Sequence, residues 1–193
     1  AHGYAEPDPT YDIEGYDTAH KTAILASLAF GMDIRFGDVF VRGITQVAPV
    51  DINTAGEMGY AIKLLGIAKR ETADSPVEVR VHPTLVPADS PLGQVSGVFN
   101  GVLVDGVPIG QTMYYGRGAG PGATSSAVVS DLMRVAREIR NGSPQRVSPF
   151  AHERLDEYEP VPVSRQRRPY FLRFRVQDRP GIIATLAGIL AQK

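Results

Sequence analysis

Apolar and polar positions change period several times along the chain. Residues 1–16 carry Pro7, Pro9 and Gly15 and read as a loop. Residues 18–31 place Ala23, Ile24, Leu28 and Ala29 at helical spacing, predicting a helix that buries those positions and is capped by Asp17 or Thr18. A short apolar stretch, 39–44, follows. VDINTAGEMGYAIK then predicts a short helix capped by Asp51 or Asn53. KLLGIAKRE and VEVRVHPTLV alternate with a period of two, predicting two strands joined by a turn at 73–76. In VSGVFNGVLVDGVPIGQTMYYG, Asp105-Gly106 lies between strand-like runs and predicts the hairpin turn. That leaves Asn100-Gly101 as a bulge or strand irregularity. GRGAGPG, residues 116–122, leads into the amphipathic helix ATSSAVVSDLMRVAREIR, which Asn141-Gly142 stops.

Residues 143–168 are polar, with Pro144, Pro149, Pro160, Pro162 and many arginines, and read as a linker. PYFLRFRVQD then predicts a strand and RPGIIATLAGILAQ a helix. The expected class is α+β: a mixed, largely antiparallel sheet over residues 61–115 with helices on one face, then a linker and a strand–helix unit. The divisions are 1–142, 143–168 and 169–193. The first residue is not Met, and the last residues form an apolar helix without a following turn, so the expectation is a piece of a longer polypeptide.

Composition narrows the function classes. The 193 residues are 43% hydrophobic and 21% charged, an ordinary globular mixture. A net charge of -1 gives no electrostatic reason to expect nucleic acid or a charged membrane as partner. The run Arg165, Arg167, Arg168 with Arg154 lacks interleaved stacking aromatics and reads as solvated linker. There is no cysteine, hence no disulfide or thiolate metal site, which suits a reducing compartment such as the cytoplasm. His2, His20, His82 and His152 show no metal-ligand spacing. No run approaches the roughly 20 apolar residues that span a bilayer.

The chemistry concentrates in EPDPTYDIEGYDTAHK, residues 6–21, with five carboxylates around one lysine. Asp17 and Lys21 are four apart and share a helix face. One reading is an exposed ion pair plus an acid at a helix start, worth about 0.3–1 kcal/mol. The other is an acidic cup: carboxylates hold a substrate ammonium, while cationic Lys21 donates a proton to an alkoxide as its charge develops. Spacing alone leaves both open. The glycine loop also has two readings, a tight structural turn or a phosphate cradle at a helix N-terminus.

GYAEPDPTYDIEGYDTAHKTAILASLAFG resembles the catalytic segment of the homoserine dehydrogenase family, and GRGAGPGATSSAVVSDL resembles its second glycine-rich loop and return helix. The similarity covers roughly residues 1–142. The resemblance implies NADPH- or NADH-dependent reduction of L-aspartate 4-semialdehyde to L-homoserine. It places the proton donor on Lys21, substrate binding on Glu6, Asp12 and Asp17, and cofactor contact on Gly120 within Gly118-Ala119-Gly120. It also implies a homodimer built through the sheet. Family members carry a dinucleotide-binding domain ahead of this region, with a second catalytic lysine and part of a monovalent cation site. The chain alone is therefore expected to be inactive, and no metal ligand is assigned. YFLRFRVQDRPGIIATLAGIL resembles the first strand and helix of an ACT domain, for which the resemblance implies threonine as effector of the whole protein. The competing reading is a non-catalytic amino-acid-binding regulatory module. A third is a structural piece whose acids only cap helices and form ion pairs.

Overall fold

The computed structural model describes residues 8–118, 120–142, 152 and 154–192. A four-residue helix α1 (Thr10–Ile13) leads through Gly15 into α2 (Tyr16–Phe30). Short strands β1 (Met32–Asp33) and β2 (Phe40–Val41) flank a 3-10 turn, Phe36–Asp38. Helix α3 (Pro49–Glu57) precedes the long strands β3 (Tyr60–Lys69) and β4 (Glu78–Pro87). The hairpin β5 (Phe99–Gly106) and β6 (Gly110–Arg117) runs into the 20-residue α4 (Pro121–Arg140). Strand β7 (Asp156–Glu157), a 3-10 turn Val163–Arg165 and α5 (Ile182–Ala191) follow.

The class is α+β, but among the described residues the strands form three sheets where one was expected. β2, β4 and β3 form a mixed three-stranded sheet in that order, β5 pairs with β6, and β1 pairs in parallel with β7. Residues 88–98, with Pro91, Gly93 and Gly97, interrupt the ladder between β4 and β5. Lys63 Nζ donates to the Val95 carbonyl at 2.6 Å and ties this segment back to β3.

The core lies between α2 and the three-stranded sheet. Val77, Val79 and Val81 are buried, and Ala19, Ala23 and Ala26 face them with Ile34 and Val39. Strand alternation turns Glu78, Arg80 and His82 the other way. The helical stripe differs from the expected one: Ile24 is 60% exposed and Ala29 is exposed, whereas Thr22 and Ser27 are buried. Small side chains take the inner stripe because the helix lies close to the sheet. A Cβ at Gly66 on β3 would collide with Thr22 Oγ1 and come within 3.2 Å of Thr18 Cγ2.

Other local expectations shift by a few residues. Thr10–Ile13 is helical, not loop, and α2 starts from Gly15 at φ 82°, not from an Asp17 or Thr18 cap. α3 starts from Ala48 with Pro49 in its first turn, and Asp51 Oδ2 reaches back to accept the Ala48 N–H at 2.8 Å. The β5–β6 turn is Val107-Pro108-Ile109, since Asp105 pairs with Gln111 and Gly106 with Gly110. Asn100 and Gly101 sit in regular register opposite Gly116 and Tyr115, without a bulge.

Residues 154–168 pack against the main body. Besides the β1–β7 pairing, the Tyr158 hydroxyl donates to the Val77 carbonyl at 3.1 Å and Gln166 is buried. No strand forms over 169–178, because this stretch finds no ladder partner among the described residues. Arg173 instead pairs with Asp51. Helix α4 buries none of its residues, and Val128, Leu132, Val135 and Ile139 are each more than half exposed.

Candidate active site

The site is built on the junction of α1 and α2. Asp8 Oδ1 accepts bonds from the Thr10 hydroxyl at 2.6 Å and the Thr10 N–H at 3.0 Å, turning the chain into α1. Those bonds, the hydroxyl first, hold the Asp8 carboxyl below its ordinary range. Asp8 thus serves the local turn. Gly15 then reverses the backbone. It is buried, its φ is positive, and a Cβ there would stand 3.0 Å from Val81 Cγ1. Glycine is required twice over, by left-handed backbone and by contact with the sheet.

That pivot puts Asp12 in α1 and Asp17 in the first turn of α2. One turn on, Lys21 Nζ donates to Asp17 Oδ2 at 2.6 Å, with the two side chains 57% and 43% exposed. An open ion pair of this kind adds only about 0.3–0.5 kcal/mol to stability. Both groups stay open to solvent. Asp12 is exposed, and no hydrogen bond or ion pair joins it to Lys21 among the described residues. Glu6, His2 and Ala119 lie outside the described residues.

Four rings from α1, α2 and the 3-10 turn pack on one another. His20 stacks on Phe36 with centroids 4.3 Å apart, and Tyr16 meets Phe36 edge-on at 6.1 Å. Tyr11 lies parallel to His20 at 6.3 Å and edge-on to Tyr16 at 5.7 Å. No local sequence pattern marks this group. Tyr16 and His20 do share helical i, i+4 spacing, but Phe36 comes from a turn beyond the end of α2. Among the described residues no group of three or more acids and histidines is arranged to hold a metal ion. None of the described helices is long and apolar enough to cross a membrane.

The second glycine loop joins β6 to α4. The Gly118 N–H donates to the Val98 carbonyl at 3.3 Å, and a Cβ on Gly118 would fall on the Asn100 side-chain amide. Gly120 precedes α4 at φ 109° with Pro121 in the first turn. Gly120 is half-buried, and Pro121 at the first helical position has no N–H to offer a ligand.

The chain thus combines a Lys21–Asp17 pair on α2, packed on a mixed sheet, with a glycine loop that opens α4. The homoserine dehydrogenase family model matches residues 1–133. Homoserine dehydrogenase of Pseudomonas aeruginosa is 43% identical over 193 residues, covering 99% of this chain and 44% of the relative. A crystal structure of a homoserine dehydrogenase from Thiobacillus denitrificans superposes with TM-score 0.77 at 40% identity, over 97% of this chain and 43% of that one. A hyperthermophilic archaeal homoserine dehydrogenase mutant in complex with NADPH is 25% identical with TM-score 0.50, over 69% of this chain and 36% of that one. The chain belongs to the homoserine dehydrogenase family, and it spans less than half the length of these relatives.

Proposed function

We propose that the chain is the substrate-binding and proton-transfer region of a homoserine dehydrogenase, acting in NAD(P)H-dependent interconversion of L-aspartate 4-semialdehyde and L-homoserine. The Lys21–Asp17 contact at 2.6 Å carries the reading, since it leaves an ammonium beside a carboxylate in reach of a ligand from solvent. Asp12, Asp17 and Glu6 bind the amino acid, mainly through its ammonium. Lys21 donates a proton to the C4 oxygen during reduction, and in its neutral form removes the hydroxyl proton during oxidation. When bound, the nicotinamide exchanges a hydride with C4. Gly118, Ala119 and Gly120 are the residues that would border it, with no side chain larger than a methyl in the way. The cofactor can be NADP or NAD.

The relatives are more than twice as long as this chain, so the chain alone is expected to be inactive. The hairpin carries exposed Val102, Val104, Tyr114 and Tyr115, which suits a homodimer contact. Residues 169–193 are read as the start of an ACT unit, with threonine as effector of the whole protein. As a purely amino-acid-binding module, the region would have no use for an ammonium among its carboxylates.

The test is homoserine-dependent reduction of NADP+ and NAD+ by a protein that joins this chain to the region preceding it in its reading frame. The wild type turns over, and Lys21→Ala loses most of its rate while still binding homoserine. Absence of turnover in the wild type would refute the enzymatic reading and favour the binding module.

A further inference from the structure

The elements that carry Asp12 and Asp17 are held from outside by a loop with no chemistry of its own. After β2, the chain passes over the α1–α2 junction at Gly43, which is buried. A Cβ on Gly43 would lie 2.6 Å from the Ile13 carbonyl oxygen, 2.7 Å from Glu14 Cα and 2.6 Å from Glu14 Oε2. The first two are backbone atoms and cannot swing aside as a side chain can. The next residue completes the contact, since the Ile44 N–H donates to the Ile13 carbonyl at 2.8 Å. On its other side the same junction is pressed onto the sheet through Gly15, against Val81, Val41 and Leu64.

The Ile13–Gly15 turn is therefore clamped between two surfaces, and each contact is close enough to demand glycine. Its position sets how α1 meets α2, and hence where Asp12 stands relative to Asp17 and Lys21. We infer that Gly43, with the Ile44 N–H, is a positioning element for the substrate carboxylates, acting through the Ile13–Glu14 backbone without touching substrate. This rests on the proposed assignment of Asp12 and Asp17 to the substrate site.

A methyl at Gly43 must push the turn or the loop by several tenths of an ångström. Misplacement of reacting groups by about 1 Å can cost on the order of a hundredfold in rate. The expected signature is selective: the KM for homoserine rises about tenfold or more in Gly43→Ala, kcat falls less, and the KM for the nicotinamide cofactor is unchanged, because the glycine loop is not part of the clamp. Gly43→Ala risks failing to fold. A second variant, Thr45→Gly with Gln46→Gly, loosens the loop at two exposed positions without adding bulk. It is expected to raise the homoserine KM by about two- to fivefold, again without moving the cofactor KM.

Both variants are made in the longer protein described above, with thermal unfolding followed alongside kinetics. A selective rise in the homoserine KM in either folded variant supports the inference. Equal rises in both KM values, or lowered unfolding temperature with unchanged homoserine KM, overturn it and leave the enzymatic reading standing. No turnover by the wild type overturns the enzymatic reading and this inference together.

Discussion

Arg173 closes on Asp51 across 122 residues of sequence: Nη2 donates to Oδ2 at 3.1 Å and Nε lies 2.6 Å from Oδ1. The same carboxylate accepts the Ala48 N–H that begins α3. The Ala48 bond and then Arg173 outweigh desolvation and hold the Asp51 carboxyl below its ordinary value of 3.8. A depressed carboxyl contributes stability above its unfolded value and loses it as pH falls through the folded one. Arg173→Ala should therefore weaken the protein at neutral pH and flatten its acid unfolding below about pH 4. Urea midpoints across pH 2.5–7 check this, and an unchanged acid limb in the variant would show the pair to be idle.

His82 predicts a second pH effect in a different window. Burial, the larger cause, and the charges of Arg168, Arg80 and Arg42 push its imidazole below the ordinary 6.5, while the Pro83 carbonyl opposes them. Between the lowered value and 6.5 the unfolded chain binds the extra proton, so stability falls on acidification. One proton sets the slope at no more than about 1.4 kcal/mol per pH unit. His82→Gln should remove this slope between pH 7 and 5, read from urea midpoints.

Close packing of α2 on β3 predicts a compensating pair. Gly66→Ala drives a methyl into the Thr22 hydroxyl and should cost about 1–3 kcal/mol. Thr22→Ala clears that space, although it gives up the bond from the Thr22 hydroxyl to the Thr18 carbonyl at 2.7 Å. The double variant should be less destabilised than the sum of the singles, by thermal or urea unfolding. Strict additivity would place the two residues out of contact.

The same logic applies at the glycine loop. Gly118→Ala displaces the Asn100 amide and should raise the nicotinamide KM, with the homoserine KM little changed. Adding Asn100→Ala should return part of the lost cofactor affinity. Steady-state kinetics of the four forms would show this coupling or its absence.

The legible parts of the fold are those where a local pattern and the tertiary need coincide. Val77, Val79 and Val81 alternate with Glu78, Arg80 and His82 because one face meets α2, so β3 and β4 fall where alternation puts them. Lys21 and Asp17 are legible because helical spacing alone brings them together. The inner helix face is not legible because hydrophobicity favours Ile24, whereas the sheet admits the small stripe of Ala19, Thr22, Ala23 and Ala26. The start of α2 is not legible because a left-handed glycine carries no capping side chain. Asp105-Gly106 is a strong turn signal, yet the ladder continues to Gly106 opposite Gly110. The clamp at Gly43 and the rings around Phe36 join segments distant in sequence, which no local pattern encodes.

Amine rescue asks whether Lys21 itself moves the proton. Lys21→Ala, in the longer protein with saturating homoserine and NADP+ or NAD+, is assayed for homoserine oxidation with increasing methylamine at alkaline pH. If the lysine is the proton-transfer group, the rate rises with the concentration of free amine, while wild type is indifferent to it. A variant that keeps the wild-type rate without amine, or stays inactive at every amine concentration despite binding homoserine, would contradict the assignment.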